Sequence, residues 1–208
     1  MKKFDLKDKV LIKSGEDYYK LKDEFEKLEQ EFEKKVYSSM MDETKRIQMI
    51  IKKAVIKAPV DEVFKAFVKL ALKDLNPNID INEIEEGCFG ITSKKSSNQT
   101  FRVDTYEIDE EFTIKYFGKN NAYIRSILFK GVKNKTKIKY TDTNISKETI
   151  FGLKLNYLKG VYQKSRKFSF AIQVINLKLL VEILDETKKN KYKEKIKELT
   201  KKLIKYQE

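Results

Sequence analysis

Apolar side chains recur at helical spacing near both ends of the chain, in steps of three and four residues. The first stripe consists of Tyr18, Leu21, Phe25, Leu28 and Phe32, and it predicts an amphipathic helix over residues 17–36. The second stripe consists of Tyr192, Ile196, Leu199, Leu203 and Tyr206. Each stripe covers only about two heptads, so neither helix is expected to be stable without an apolar partner.

The two helical ends differ in charge. Residues 16–36 contain eight acids and five lysines, whereas residues 188–208 contain nine lysines and three glutamates. Opposite charges make each end a suitable partner for the other, within one chain or between two chains, with most of the energy supplied by burial of the stripes. In the alternative arrangement, each helix docks separately on the domain between them.

Between the ends, the pattern changes to short alternating segments, which predict a compact α+β domain. Residues 47–58 are rich in β-branched side chains and predict a long first strand. Pro59 follows at a helix start, and an apolar stripe then predicts a helix that stops before Pro77. Further strands are predicted over residues 88–95, 99–108, 111–117, 122–129 and 135–144.

Alternation within the strands assigns their side chains to two faces of a sheet. Residues 99–108 place Tyr106 on the face opposite Phe101. The inward-facing strand residues are predicted to be Phe101, Val103, Phe112, Ile114, Tyr116, Ile138 and Tyr140. A long helical pattern begins around residue 153, and we expect its apolar face, which includes Phe168 and Ile172, to pack on the sheet.

Composition excludes several kinds of chemistry. The 208 residues contain no histidine and one cysteine, Cys88, so histidine bases, histidine metal ligands, Ser/His/Asp systems and internal disulfides are ruled out. The net charge of +13 comes mostly from lysine, since the only arginines are Arg46, Arg102, Arg125 and Arg166. Because bidentate recognition of phosphates and bases favours arginine, a solubilising surface is a better interpretation than a nucleic-acid site.

The sequence predicts neither a secretory signal nor a membrane span. The most apolar stretch, residues 168–184, is interrupted by polar and charged side chains, and we expect a cytoplasmic protein. Peripheral contact with a membrane stays open, because basic side chains in the long helix lie beside aromatic ones. The candidates for such surface binding are Lys159, Lys164, Arg166 and Lys167.

The order of these elements is that of the helix-grip fold, in which an antiparallel sheet wraps around a long C-terminal helix. Residues 56–64, IKAPVDEVF, resemble the start of START-like proteins, the superfamily that includes birch-pollen-allergen-like and polyketide-cyclase-like proteins. Residues 150–153 and 158–168 look like those of an uncharacterised branch from low-GC bacteria. The resemblance covers residues 47–187, between an N-terminal helical extension (residues 1–46) and a lysine-rich C-terminal helical tail (residues 188–208).

The resemblance implies an apolar cavity between the sheet and the long helix, of the kind in which START-like proteins bind lipids, sterols and polyketides. Its lining would come from the inward-facing strand residues together with Phe168 and Ile172. We therefore expect non-catalytic binding of a hydrophobic small molecule or lipid, without a cofactor or metal. Two alternatives stay open. One is an interaction protein with a filled core, whose terminal helices bind a partner or a second copy; the other is a cavity enzyme that acts through tyrosine and carboxylate groups.

Overall fold

The computed structural model describes residues 11–37, 47–93, 99–117, 121–146 and 155–205. Its strands are β1 (Leu11–Ile12), β2 (Ile47–Ile56), β3 (Phe89–Ile91), β4 (Thr100–Glu107), β5 (Glu111–Phe117), β6 (Asn121–Val132) and β7 (Lys135–Ser146). They form one antiparallel sheet in the order β1-β3-β4-β5-β6-β7-β2. The edge strand β2 pairs along its whole length with β7, from Ile47 opposite Ile145 to Ile56 opposite Thr136.

The helices in the described ranges are α1 (Glu16–Tyr37), α2 (Val60–Leu75), α3 (Leu155–Val181) and α4 (Glu186–Ile204). This arrangement confirms the predicted α+β helix-grip class. Helix α2 begins directly after Pro59, whose φ of −58° suits a helix start. Helix α4 begins after Asp185, whose side chain caps it by accepting a hydrogen bond from the Lys188 N–H at 2.7 Å. None of the helices described has the length and apolar character needed to span a bilayer.

The main core lies between the inner face of the sheet and helices α2 and α3. Phe64 and Phe67 of α2 are almost completely buried, and their ring centres lie 5.2 and 5.7 Å from that of Phe129 in β6. Helix α3 contributes Phe170 and Leu177 to the same cluster. This end of the sheet is therefore filled by close-packed apolar side chains, as in other protein interiors.

Helix α1 packs on the opposite, outer face of the sheet. Leu21 and Phe25 from its apolar stripe are each 3% exposed, and they form a second cluster with Phe89 and Phe117 of the sheet. At the other end of the chain, α4 packs along α3 and buries Leu199. Within the described chain, the structure therefore shows separate docking of the two helical ends rather than pairing between their stripes.

An ion cluster connects the middle of α1 to the sheet. The Glu29 carboxylate accepts hydrogen bonds from Lys115 Nζ and from Arg102 Nη2, the latter at 3.0 Å, while Arg102 Nε donates to Asp104 at 2.6 Å. Burial raises the pKa of Glu29, but the hydrogen bonds from Lys115 and Arg102 outweigh it, so the net pKa lies below the usual value. The carboxylate therefore stays charged while it holds α1 on the sheet.

One strand departs from the predicted alternation. The register between β4 and β5 shifts between Val103 and Thr105, which is the signature of a β-bulge. Phe101 and Val103 face the core as predicted, but the prediction that Tyr106 lies on the opposite face is wrong. The extra residue turns Tyr106 inward, where its ring centre lies 5.7 Å from that of Phe64.

Candidate functional site

A cavity of about 410 Å³ lies between the inner face of the sheet and helices α2 and α3. Small-molecule sites typically have volumes of about 300–1,000 Å³. The apolar part of its wall consists of Phe67, Ala71, Leu75, Phe112, Ile114 and Ile127. The remaining lining residues carry polar groups and are Asp74, Thr92, Gln99, Tyr116, Arg125, Tyr140, Arg166, Ser169 and Gln173. The cavity is therefore amphipathic rather than uniformly apolar.

The register of the sheet explains why one cavity has two kinds of wall. Residues paired across antiparallel strands point to the same side, so β5, β6 and β7 turn their side chains inward in rows. In order, the rows contain Phe112, Ile127 and Tyr140; then Ile114, Arg125 and Asp142; then Tyr116, Tyr123 and Asn144. The inner face thus changes from a mostly apolar row near the core around Phe129 to one row with two charged residues and another with hydroxyl and amide groups.

Asp142 lies behind the polar part of the lining, where it pairs with two of the lining residues, Arg125 and Arg166. Its side chain is fully buried, and its Oδ2 accepts hydrogen bonds from the Tyr140 hydroxyl at 2.7 Å and from Arg125 Nε at 3.2 Å. The Nε atom of Arg166 in α3 lies 3.5 Å from the same oxygen. A buried carboxylate is costly unless it is paired and hydrogen-bonded, and these groups meet that requirement. Asp142 therefore connects α3 to strands β6 and β7 at the cavity.

Aromatic rings contact Arg125 and stack on one another in the polar wall. The guanidinium carbon of Arg125 lies 5.3 Å from the centre of the Tyr116 ring, and Tyr116 stacks on Tyr123 with 4.8 Å between ring centres. Tyr140 stacks on Phe170 of α3 at 4.9 Å. Burial raises the pKa of Tyr140, and the negative charge of Asp142 raises it further. The Tyr140 phenol therefore stays protonated at neutral pH and serves as a hydrogen-bond donor.

The rim of the cavity is polar and bridges two helices. Asp74, near the end of α2, is exposed, and its Oδ2 accepts a hydrogen bond from Gln173 Nε2 of α3 at 2.9 Å. Gln99 and Thr92 are connected by a hydrogen bond from the Gln99 backbone N–H to Thr92 Oγ1 at 2.8 Å. The hydrogen bond between Asp74 and Gln173 therefore connects α2 to α3 at the cavity.

The strand residues predicted to line a cavity are all buried in the main core, but they divide into two groups. Those that line the cavity are Phe112, Ile114, Tyr116 and Tyr140. Those that pack elsewhere in the core are Phe101, Val103 and Ile138. The first two of this second group belong to β4, none of whose residues lines the cavity. Ile138 is paired with Phe129 in the row that the phenylalanines of α2 fill.

Helix α3 presents a different stripe to the cavity from the predicted one. The prediction assigns Phe168 and Ile172 to the lining, but the structure turns Arg166, Ser169 and Gln173 to the cavity and leaves the other two half-buried elsewhere. Helix α3 packs against both the sheet and α4, so it carries apolar residues on more than one face. Periodicity alone therefore does not identify the face that meets the sheet.

The basic residues predicted to bind a surface separate in a similar way. Lys164 and Lys167 are exposed on α3, whereas Arg166 contacts Asp142 and keeps only 26% of its side chain exposed. The side chain of Lys159 lies outside the described residues. Arg166 thus contributes to the wall of the cavity rather than to an outer basic surface.

The prediction omits Arg125, which lines the cavity, and Asp142, which pairs with it behind the lining. It also omits five other polar lining residues: Asp74, Thr92, Gln99, Ser169 and Gln173. The inward position of Asp142 can be predicted from the sequence. Thr136, Ile138 and Tyr140 alternate along one face of the strand, and Asp142 is the next residue on that face. A charged residue that continues an inward-facing series indicates a buried ion pair. A comparable alternation, through Ile127 in β6, reaches Arg125.

No protein-family model and no curated protein sequence matches the chain. Solved structures do match it. A protein of unknown function from Staphylococcus aureus is 14% identical, with a TM-score of 0.51 over 65% of this chain and 94% of that one. The Aha1 dimer from Colwellia psychrerythraea is 16% identical, with a TM-score of 0.44 over 65% of this chain and 96% of that one. Ara h 8.0201 is 18% identical, with a TM-score of 0.43 over 61% and 95%.

The similarity to the Staphylococcus aureus protein shows a common fold and carries no information about activity, because identity is low. Together with the element order and the sheet topology described above, it shows that the chain has the helix-grip fold.

Proposed function

We propose that this protein binds a hydrophobic small molecule or lipid in the cavity between the sheet and α3, without catalysing a reaction on it. The observation that carries the proposal is the cavity of about 410 Å³, whose lining includes six apolar side chains. The apolar part of the lining would make dispersion contacts with a bound molecule that has an apolar body.

The interaction-protein alternative has less support. It requires the apolar stripes of α1 and α4 to be accessible to a partner, but Leu21, Phe25 and Leu199 are buried against the rest of the chain. A cavity enzyme would need a polar group ready to exchange a proton with its substrate. Asp142 is already engaged by Tyr140 and both arginines, which suits a structural and orienting role better.

Uptake of N-phenyl-1-naphthylamine, a neutral dye that becomes fluorescent in apolar surroundings, tests the proposal. We expect saturable binding of one molecule per chain. Ser169→Trp should abolish binding, because Ser169 is half-buried in the cavity wall and an indole there would occupy the space. Phe168→Trp is the matched control, since it introduces the same side chain on the same helix at a position outside the lining.

Wild-type protein that takes up no dye would contradict the proposal. Equal uptake by the Ser169→Trp and Phe168→Trp variants would show that the dye binds at another place. Native mass spectrometry of protein purified from cells provides an independent test, because it detects a co-purified ligand and counts the chains in the same experiment.

We also propose that the chain belongs to a START-like branch from low-GC bacteria and acts in the cytoplasm. Support for the branch is the similarity over residues 150–153 and 158–168. Support for the cytoplasm is the buried, unpaired Cys88, because free thiols persist in reducing compartments. Lys164 and Lys167 on α3 are the described residues that would make any peripheral contact with an anionic surface.

A further inference from the structure

We infer that the ligand is an amphipathic anion, with a carboxylate bound beside Arg125 and Arg166 and an apolar body along the wall formed by α2 and β5. This inference rests on the proposed function and names the chemical class of its ligand.

The polar wall presents positive charge to the cavity. Arg125 approaches from β6 and Arg166 from α3, and both contact Oδ2 of Asp142. The three groups together carry one net positive charge. Asp142 has no exposed surface, whereas the two arginine side chains are 19% and 26% exposed. The remaining charged lining residue, Asp74, lies on the rim, where it accepts a hydrogen bond from Gln173.

The donors around this charge fit a carboxylate. A guanidinium group presents several N–H donors in a planar fork that matches the two oxygens of a carboxylate. Arg125 and Arg166 contact Asp142 through Nε, and both side chains also line the cavity. Tyr116 and Ser169 also line the cavity, and neither hydroxyl has a hydrogen-bond partner among the residues that the structure describes.

Apolar side chains form another part of the lining. They include Phe67 and Leu75 of α2 and Phe112 of β5. A wholly apolar ligand would remove water from the hydroxyls of Tyr116 and Ser169 without returning a hydrogen bond, which is unfavourable. A ligand with a carboxylate at one end matches both walls, so it should bind more tightly than a neutral molecule of the same shape.

A matched pair of competitors tests the inference. 2-Naphthoate and 2-naphthamide have the same rings and differ in whether one small group is charged, and each is titrated against bound N-phenyl-1-naphthylamine. We expect the carboxylate to displace the dye at a concentration at least tenfold lower than the amide. Arg166→Gln should reduce this preference at least fivefold. Lys167→Gln should leave it unchanged, because that variant removes a positive charge from an exposed position of the same helix.

The outcomes separate the two proposals. If the wild-type protein binds no dye, the proposed function fails and the inference fails with it. If the dye binds but both competitors displace it equally, the ligand class is wrong while the proposed function stands. A preference that persists in both Arg166→Gln and Arg125→Gln would also overturn the inference, because the anion would then bind elsewhere. If either variant fails to fold, the two competitors on wild-type protein still test the inference, because equal displacement of the dye would refute it.

Discussion

Replacing Asp142 by asparagine removes one negative charge from the cavity wall and nearly preserves the shape of the side chain. The carboxylate is fully buried, with Arg125 Nε at 3.2 Å and Arg166 Nε at 3.5 Å from Oδ2. In the variant, the two guanidinium groups stay close to one another without the charge between them. The neutral amide oxygen can still accept the hydrogen bond from Tyr140, so this contact is kept while the negative charge is removed.

The expected cost follows from the geometry. Coulomb's law with an effective dielectric constant of about 20 gives about 5 kcal/mol for each of the two contacts. Removing the carboxylate from water offsets much of this attraction in the native protein. Loss of one partner from a buried ion pair typically destabilises a protein by about 3–5 kcal/mol. Because both arginines keep some solvent exposure, we expect the lower end of that range, about 3 kcal/mol.

Urea unfolding at pH 7, followed by far-UV circular dichroism, measures this cost as a lower midpoint at nearly constant slope. The control is Asp74→Asn, the same chemical change at the exposed rim, which should alter the free energy of unfolding by no more than about 0.5 kcal/mol. Saturating 2-naphthoate should stabilise the Asp142→Asn variant more than the wild type, because the ligand supplies the missing negative charge. A loss below about 1 kcal/mol for Asp142→Asn would refute the view that this carboxylate organises the wall.

Two further predictions concern the packing on the two faces of the sheet. Phe64→Ala removes a ring that is 1% exposed and should cost about 3–5 kcal/mol in the same assay; a loss below about 1 kcal/mol would contradict the core position of α2. Glu29→Gln should cost about 1–2 kcal/mol at pH 7, with the exposed Glu33→Gln as its control. Because the folded pKa of Glu29 lies below its usual value of 4.5, its contribution is present above pH 4.5 and is lost as the pH falls through the lower folded value. The unfolding midpoints of the wild type and the Glu29→Gln variant should therefore converge in acid. A difference between them that stays constant with pH would contradict a stabilising role of the Glu29 charge in the ion cluster.

Elements with one uninterrupted pattern could be predicted from the sequence. Strand β5 has the predicted bounds, Glu111–Phe117, because its alternation contains no insertion. Helix α2 starts and stops at its proline signals for equally local reasons. Tyr106 could not be placed this way, since the bulge at Val103 becomes visible only when β4 is paired with β5. Likewise, the orientation of α3 depends on two partners that its own sequence does not identify.

The candidate site was less predictable than the fold, because its main contacts are not local. Arg125 and Asp142 become neighbours through the register of β6 and β7, and Arg166 reaches them from a helix that crosses the sheet. The sequence shows that each residue is charged but not that the three meet. The apolar wall was partly predictable, since Phe112 and Ile114 follow from alternation alone.

The pairing of β2 with β7 also affects what happens while the chain is being made. Ile56 and Thr136, the closest pair in sequence between these strands, are eighty residues apart. At a synthesis rate of about 5–20 residues per second, β2 therefore waits roughly 4 to 16 s for its partner. Its β-branched sequence could meanwhile pair with other nascent chains, but Lys52 and Lys53 interrupt it and place a charge on each face. The charges of these lysines thus oppose pairing of β2 with other chains until β7, the last strand of the sheet, has been synthesised.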